Sequence, residues 1–344
     1  MDRRWAFAAL ALTAGSAAFA GGSPAAPLPA SSPPAPPLRE IRWIAADTPR
    51  ADMIRLLTRR PADCLASPTD AALADQIAAG RAMFSAPLLL GGQAARAGVS
   101  CAACHVGGRG NPHFVFPGVS GAPGTADVTS SLFSTRRGDG IANPRPIPDL
   151  AADPPKISRD PASPALRTFL RGLIVEEFDG LEPPPRILDS LAAYVRALRS
   201  TCGIAPNSAT VPRSAAGDAA DAVAAVVAAR IALAANDPAA AHLLLSAARS
   251  TLGRIDERFA GQPAITRLLL RRDGELRRLQ ADLAGRTLAG RRMKRWAGAM
   301  VRDTATLRAA EPGSLYRAAM LERRLVAAGG AVEAAAAGGR SPKS

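Results

Sequence analysis

The pentapeptide Cys101-Ala102-Ala103-Cys104-His105 leads into a stretch, Gly107 to Pro164, that is rich in Gly, Pro, Asn and Asp and keeps no sustained period. A loop of that length inside a compact domain is uncommon unless it wraps something. The pentapeptide supplies the candidate. Two thiols three positions apart lie on one turn of helix, where their sulfurs reach the two vinyl groups of one haem, and the adjoining imidazole turns toward the iron. On this reading Cys101 and Cys104 bind one covalent haem c, and His105 is the proximal iron ligand.

Other uses of a Cys-x-x-Cys pair fit less well. A thioredoxin-like redox pair opens a helix after a strand, whereas Arg96-Ala97-Gly98-Val99-Ser100 shows no βαβ pattern. A zinc site needs further thiolates or imidazoles nearby, and the remaining cysteines, Cys64 and Cys202, are distant in sequence.

The first residues agree with covalent haem attachment, which bacteria carry out beyond the cytoplasmic membrane. Met1-Asp2-Arg3-Arg4, the apolar run Trp5 to Leu12 and Ala18-Phe19-Ala20 read as a positive start, a short hydrophobic core and a small-residue cleavage site. The expectation is a signal peptide over 1–20 and a periplasmic protein. In an oxidising compartment Cys64 and Cys202 are expected to form a disulfide around the haem segment, worth about 4–5 kcal/mol at most in the chain-entropy view. The formal charge of +14 would ordinarily suggest nucleic acid, but export argues against that partner. An acidic redox partner protein or an anionic membrane surface suits it better. The sequence carries no phosphate-binding loop, dinucleotide fingerprint or hydrolase triad signature.

Periodicity organises the rest. A Pro- and Ala-rich leader over 21–38 cannot build a core. A cytochrome c domain is expected over 39–204. Within it Leu73, Ile77, Met83 and Phe84 mark a helix that Asp70 caps and Pro87 ends, and Ala165 to Leu173 marks another. Ile187, Leu188, Leu191, Val195 and Leu198 form one stripe of a third. A linker over 205–217 precedes a helical hairpin or bundle domain over 218–327, where Val223, Val226, Val227 and Ile231, then Leu269, Leu276 and Leu283, recur at helical spacing. The Ala- and Gly-rich tail over 328–344 is expected to be disordered. The fold class is all-α: a cytochrome c-like domain with long haem-wrapping loops, followed by an α-helical hairpin or bundle.

Several segments together resemble a known family. They are Gly80-Arg81-Ala82-Met83-Phe84, the run Gly98 to His105, Asn143 to Leu150, Phe178-Asp179-Gly180, and Leu191 to Leu198. Over about Gly80 to Leu198 the chain resembles the single-haem cytochrome c domains of the bacterial di-haem cytochrome c peroxidase and MauG-like group. The resemblance implies haem binding by Cys101, Cys104 and His105, and a C-terminal helix that crosses an N-terminal one. Two departures matter. The peroxidases use two haems, and this chain has a single Cys-x-x-Cys-His. Many electron-transfer cytochromes supply a downstream Met to the iron, and here no Met occurs between Met83 and Met293.

The sixth iron position therefore has no obvious occupant. His113 is the only nearby imidazole, a distal iron ligand or acid–base group on one reading and a solvated loop histidine on the other. Met83 reads as packing and His242 as a partly buried helix residue of the second domain. Glu176, Glu177 and Asp179 cluster where related domains bring a segment over the haem. Arg109, Arg136, Arg137 and Arg145 are candidates for the haem propionates. The expected function is single-electron transfer by an exported mono-haem cytochrome. The alternatives are a peroxidase-related enzyme with an open distal site and a non-enzymatic haem sensor or assembly module.

Overall fold

In the computed structural model the described residues are 37–62, 64–200 and 210–338, with side chains through 328. Eleven α-helices run through them, and the little strand structure is confined to two antiparallel pairs. The fold is predominantly helical, as the periodicities require. Short helices α1 (Arg50–Thr58), α3 (Gly92–Ala97) and α4 (Cys101–Cys104) flank the longer α2 (Ala71–Phe84). Asp70 caps α2 by accepting from the Leu73 amide at 2.8 Å, and Pro87 lies just past its end.

Helix α6 (Pro185–Ala197) starts on a proline, whose fixed φ suits a first turn, and buries Ile187, Leu188, Leu191 and Val195. It crosses α2 so closely that a Cβ on Gly80 would stand 1.9 Å from the Ser190 carbonyl oxygen. Only a glycine permits this approach. At the far end of α6 the Cys64 segment runs alongside, with the Arg199 amide donating to Cys64 O at 2.8 Å and Ala66 N to Ala197 O at 2.7 Å. Cys64 is disulfide-bonded. Cys202 lies outside the described residues.

Gly107 to Pro164 is irregular apart from β2 (Thr125–Ala126), paired with β3 (Arg145–Pro146). The next segment departs from expectation. Helix α5 (Ala165–Gly172) does not simply end near Leu173 but continues as a π-helical turn, Leu173–Glu177. One extra residue in that turn swings the side chains after it to a new azimuth.

Helices α7 (Ala215–Ala234), α8 (Pro238–Arg258), α9 (Pro263–Ala281) and α10 (Arg286–Ala310) form a bundle in which each contacts the next and α10 returns onto α7. Alanines at 215, 219, 222, 225, 229 and 232 line the buried face of α7 and let α8 pack closely. Part of the stretch expected as a linker is ordered: β4 (Thr210–Pro212) pairs with β1 (Arg59–Pro61) and α7 begins at Ala215. The last helix, α11 (Ala318–Gly338), occupies the start of the tail expected to be disordered; residues 339–344 lie outside the described residues. All described residues belong to one compact unit; the main apolar core runs from Ile77 to Tyr316, so the 39–204 and 218–327 segments share it, and a second small cluster joins Leu57, Leu315 and Leu321 to Leu38, the last residue of the leader expected to build no core. Among the described residues no helix is long and apolar enough to cross a membrane.

Charged groups join the two ends of the chain. Arg258, only 3% exposed, donates to Glu40 Oε2 at 2.8 Å and lies 5.0 Å over the Tyr316 ring, while Arg213 reaches Glu40 Oε1 at 3.2 Å. Tyr316 donates to Asp218 Oδ2 at 2.6 Å, and buried Glu311 accepts from the Ala215 amide at the start of α7. Burial pushes the Glu40 carboxyl up, but Arg213, Arg258 and Arg254 outweigh it and hold it below its ordinary value of 4.5. Stability from this group is therefore present above pH 4.5 and lost as the pH falls through its lowered folded value.

Two outcomes are expected from denaturant unfolding. Gly80→Ala destabilises the chain by roughly 2–3 kcal/mol, since backbone rather than a yielding side chain opposes the new Cβ. Arg258→Ala costs about 3–5 kcal/mol because Glu40 loses its buried partner. A pH series on Glu40→Gln should show a flatter fall in stability below pH 4.5 than the parent does.

Candidate haem-binding site

Cys101, Cys104 and His105 face a cavity of about 460 Å³. Its walls are mostly apolar: Phe84, Ile157, Leu170, Ile174, Phe178 and Leu191 are among them. Size and lining fit a site for a flat apolar group. Among the described residues no group of three or more His, Cys, Asp and Glu could hold a metal ion.

His105 is seated from three sides. Its Nδ1 lies 3.1 Å from the Pro148 carbonyl oxygen. A carbonyl only accepts, so Nδ1 carries the proton and Nε2 keeps its lone pair. Phe84, from the end of α2, packs its ring 6.4 Å from the imidazole and 5.1 Å from Tyr194 of α6. The segment bearing Pro148 is tied down by Ile147 N to Gly124 O at 2.9 Å, Leu150 N to Gly108 O at 3.1 Å, and an Arg109–Asp149 ion pair at 2.9 Å. Burial is the main cause that brings the imidazole pKa down to about 4, so the ring is neutral at ordinary pH. A neutral imidazole with its second nitrogen fixed by a carbonyl is the arrangement that metal-binding histidines adopt.

Cys101 and Cys104 are free thiols, and burial pushes both up to about 12. A redox pair needs a thiol activated downward, at a helix start or beside a cation. Cys101 does open the short helix α4, but burial moves both thiols the opposite way, which counts against thioredoxin-like chemistry.

The other candidates separate cleanly. His113 does not line the cavity; its amide donates to Asn111 Oδ1 at 3.1 Å in the turn beyond α4. Met83 is buried in the core, whereas His242 is exposed on α8 rather than partly buried as expected. Of the acidic cluster, Glu176 pairs with Arg137, and Asp179 accepts from the Thr135 amide at 3.0 Å and hydroxyl at 2.9 Å. Glu177 alone lines the cavity, carried there by the π-turn, and burial raises its pKa. Of the four arginines proposed for propionates, Arg145 lines the cavity. Arg109 is engaged with Asp149 and with the Arg199 and Ser200 carbonyls, and Arg137 with Glu176.

Sequence reasoning missed Lys156 and Arg159 on the cavity wall. Arg159 is spent on backbone carbonyls, including Leu198 O at 3.4 Å, whereas Lys156 and Arg145 are exposed and have no ion pair among the described residues. No local pattern marks either residue; only the folded loop brings them to the rim.

No protein-family model matches this chain, and neither the curated proteins nor the solved structures yielded a similar one. The site must therefore be read from its own geometry.

In haem-free folded material, iodoacetamide at pH 8 is expected to modify Cys101 and Cys104 roughly a thousandfold more slowly than in the unfolded chain, since each unit of pKa removes nine-tenths of the thiolate. Reaction at the unfolded rate would show that the thiols are not buried.

Proposed function

We propose that this chain is an exported mono-haem c-type cytochrome that passes single electrons between partner proteins. The seating of His105 carries the reading: Nδ1 is held by Pro148 O, on a wall shared with Cys101 and Cys104. When bound, haem would supply a one-electron couple at its iron. The remaining work belongs to the chain. Cys101 and Cys104 would hold the porphyrin through thioethers, each thiol adding across a vinyl group with its proton going to the neighbouring carbon, so attachment would consume no oxidant. His105 offers a neutral nitrogen, and Phe84, Ile174 and Leu191 exclude water from around it. Arg145 and Lys156 offer cations for the porphyrin's carboxylates at the rim.

Further support comes from outside the cavity. The close crossing of α2 and α6 agrees with the resemblance to single-haem cytochrome c domains. The Cys64 disulfide and the basic, apolar, small-residue pattern of residues 1–20 agree with a periplasmic location.

A second reading, a peroxidase-related enzyme, is favoured by one observation: among the described residues the cavity wall carries Glu177, and no Met or imidazole besides His105. A carboxylate with a raised pKa there is suited to holding or moving a proton.

Expression with export and cytochrome maturation machinery tests both readings. Intact-mass measurement should give the polypeptide plus one haem, and Cys101→Ser with Cys104→Ser should give the bare polypeptide; a bare mass for the parent overturns the haem reading. A ferric spectrum unchanged by cyanide or peroxide supports the carrier. Rapid ligand binding, with Glu177→Gln slowing peroxide turnover roughly a hundredfold at unchanged haem content, supports the enzyme instead.

A further inference from the structure

Helices α9 and α10 concentrate the positive charge of the molecule. From Pro263 to Ala310 they and their connection hold twelve basic and four acidic side chains. Every one of those acids is already engaged: Asp273 with Arg249, Glu275 and Asp303 with Arg272, and Asp282 with Arg292. Ten cations are left over, without an ion pair among the described residues. On α9 the exposed residues Arg267, Leu270, Arg271, Arg277 and Arg278 recur at spacings of three, four and seven, which is one face of a helix. On α10 Leu288, Arg291, Lys294, Arg295, Val301 and Arg302 do the same.

These faces meet. Arg278 from α9 and Arg295 and Arg302 from α10 line one groove of about 510 Å³, and its acids, Glu275 and Asp282, are the ones neutralised by Arg272 and Arg292. Like charges crowd a surface at a cost in self-repulsion, which an anionic counter-surface relieves. Apolar side chains stand among the cations: Leu270 is 62% and Val301 60% exposed. A compact acidic protein would need only a local patch, yet the cations here run the length of α10, about 37 Å at the usual rise per residue. An extended basic face with interspersed Leu and Val, whose long cationic stems can lie on an apolar layer, matches a lipid surface.

We infer that the outward face of α9 and α10 docks the protein on an anionic phospholipid bilayer. The docking is peripheral: guanidinium and ammonium groups meet lipid phosphates while Leu270, Leu288 and Val301 enter the headgroup layer. It is independent of haem, so it stands or falls apart from the proposed electron transfer.

Sedimentation of the full chain with vesicles tests it. Binding to phosphatidylglycerol–phosphatidylcholine vesicles, absent with phosphatidylcholine alone and weakening as salt rises, is the expected result. The triple variant Arg278→Gln, Arg295→Gln, Arg302→Gln should lose roughly a hundredfold in vesicle affinity with unchanged circular dichroism. The parent and the variant share the apolar run Trp5 to Leu12, so their difference reads the α9–α10 face alone. If the variant misfolds, Arg277→Gln with Lys294→Gln, both fully outward, serves in its place with about a thirtyfold loss. Equal binding to neutral and anionic vesicles, indifference to salt, or retention of polyglutamate in place of vesicles overturns the proposal.

Discussion

At Gly80 the backbone of α2 lies against the backbone of α6, and the arrangement of the cavity follows from that contact. Phe84 sits one turn beyond Gly80 on α2, and Tyr194 one turn beyond Ser190 on α6, so a closely packed pair brings both rings to the same place. His105 packs on the Phe84 ring. A larger residue at position 80 would push the helices apart and move the aromatic support away from the imidazole. Leu191 and Val195, on the other side of the same α6 stripe, become cavity wall for the same reason.

The bundle supports this arrangement from behind. Arg81 of α2 reaches Asp221 of α7 at 2.7 Å, and Arg254 of α8 donates to Ser85 O at the end of α2. Between α4 and the bundle lies a smaller polar cavity, lined by Ala102, Ala103 and Val106 on one side and by Arg254 and Glu257 on the other. Haem chemistry would thus be confined to one face of α4, with charged groups on the other. The Glu40, Arg213 and Arg258 network closes the structure by fastening the segment before α1 to the end of α8. Buried ions of this kind are costly to separate, so the two halves of the chain hold each other in register.

Much of the helical framework was legible because its signals are local. Asp70 and Pro87 bracket α2, the apolar stripe of α6 needs only the 3.6-residue period, and Leu269 and Leu276 sit buried on α9 as their heptad spacing requires. The π-turn was not legible, because its extra residue leaves no trace in a hydrophobic period. Its consequence was hidden too: three carboxylates within four positions looked equivalent, yet Glu176 and Asp179 brace the loop over 134–137 while Glu177 turns into the cavity. Arg145 could not be told from Arg109 or Arg137 by type, since what separates them is whether a carboxylate from elsewhere in the chain has already claimed the guanidinium.

The sequence by itself singled out Cys101, Cys104 and His105 as candidates, because their spacing along the chain lets them face one ligand, and all three line one cavity. It also determined the helical class, because side-chain periodicity is a property of neighbours along the chain. Tertiary structure decided the rest. Which nitrogen of His105 carries the proton depends on a carbonyl 43 positions away, which acid enters the cavity on the phase of a turn, and which cations remain unpaired on where the acids fold to. Each is a matter of contacts between distant residues, and no local pattern encodes them.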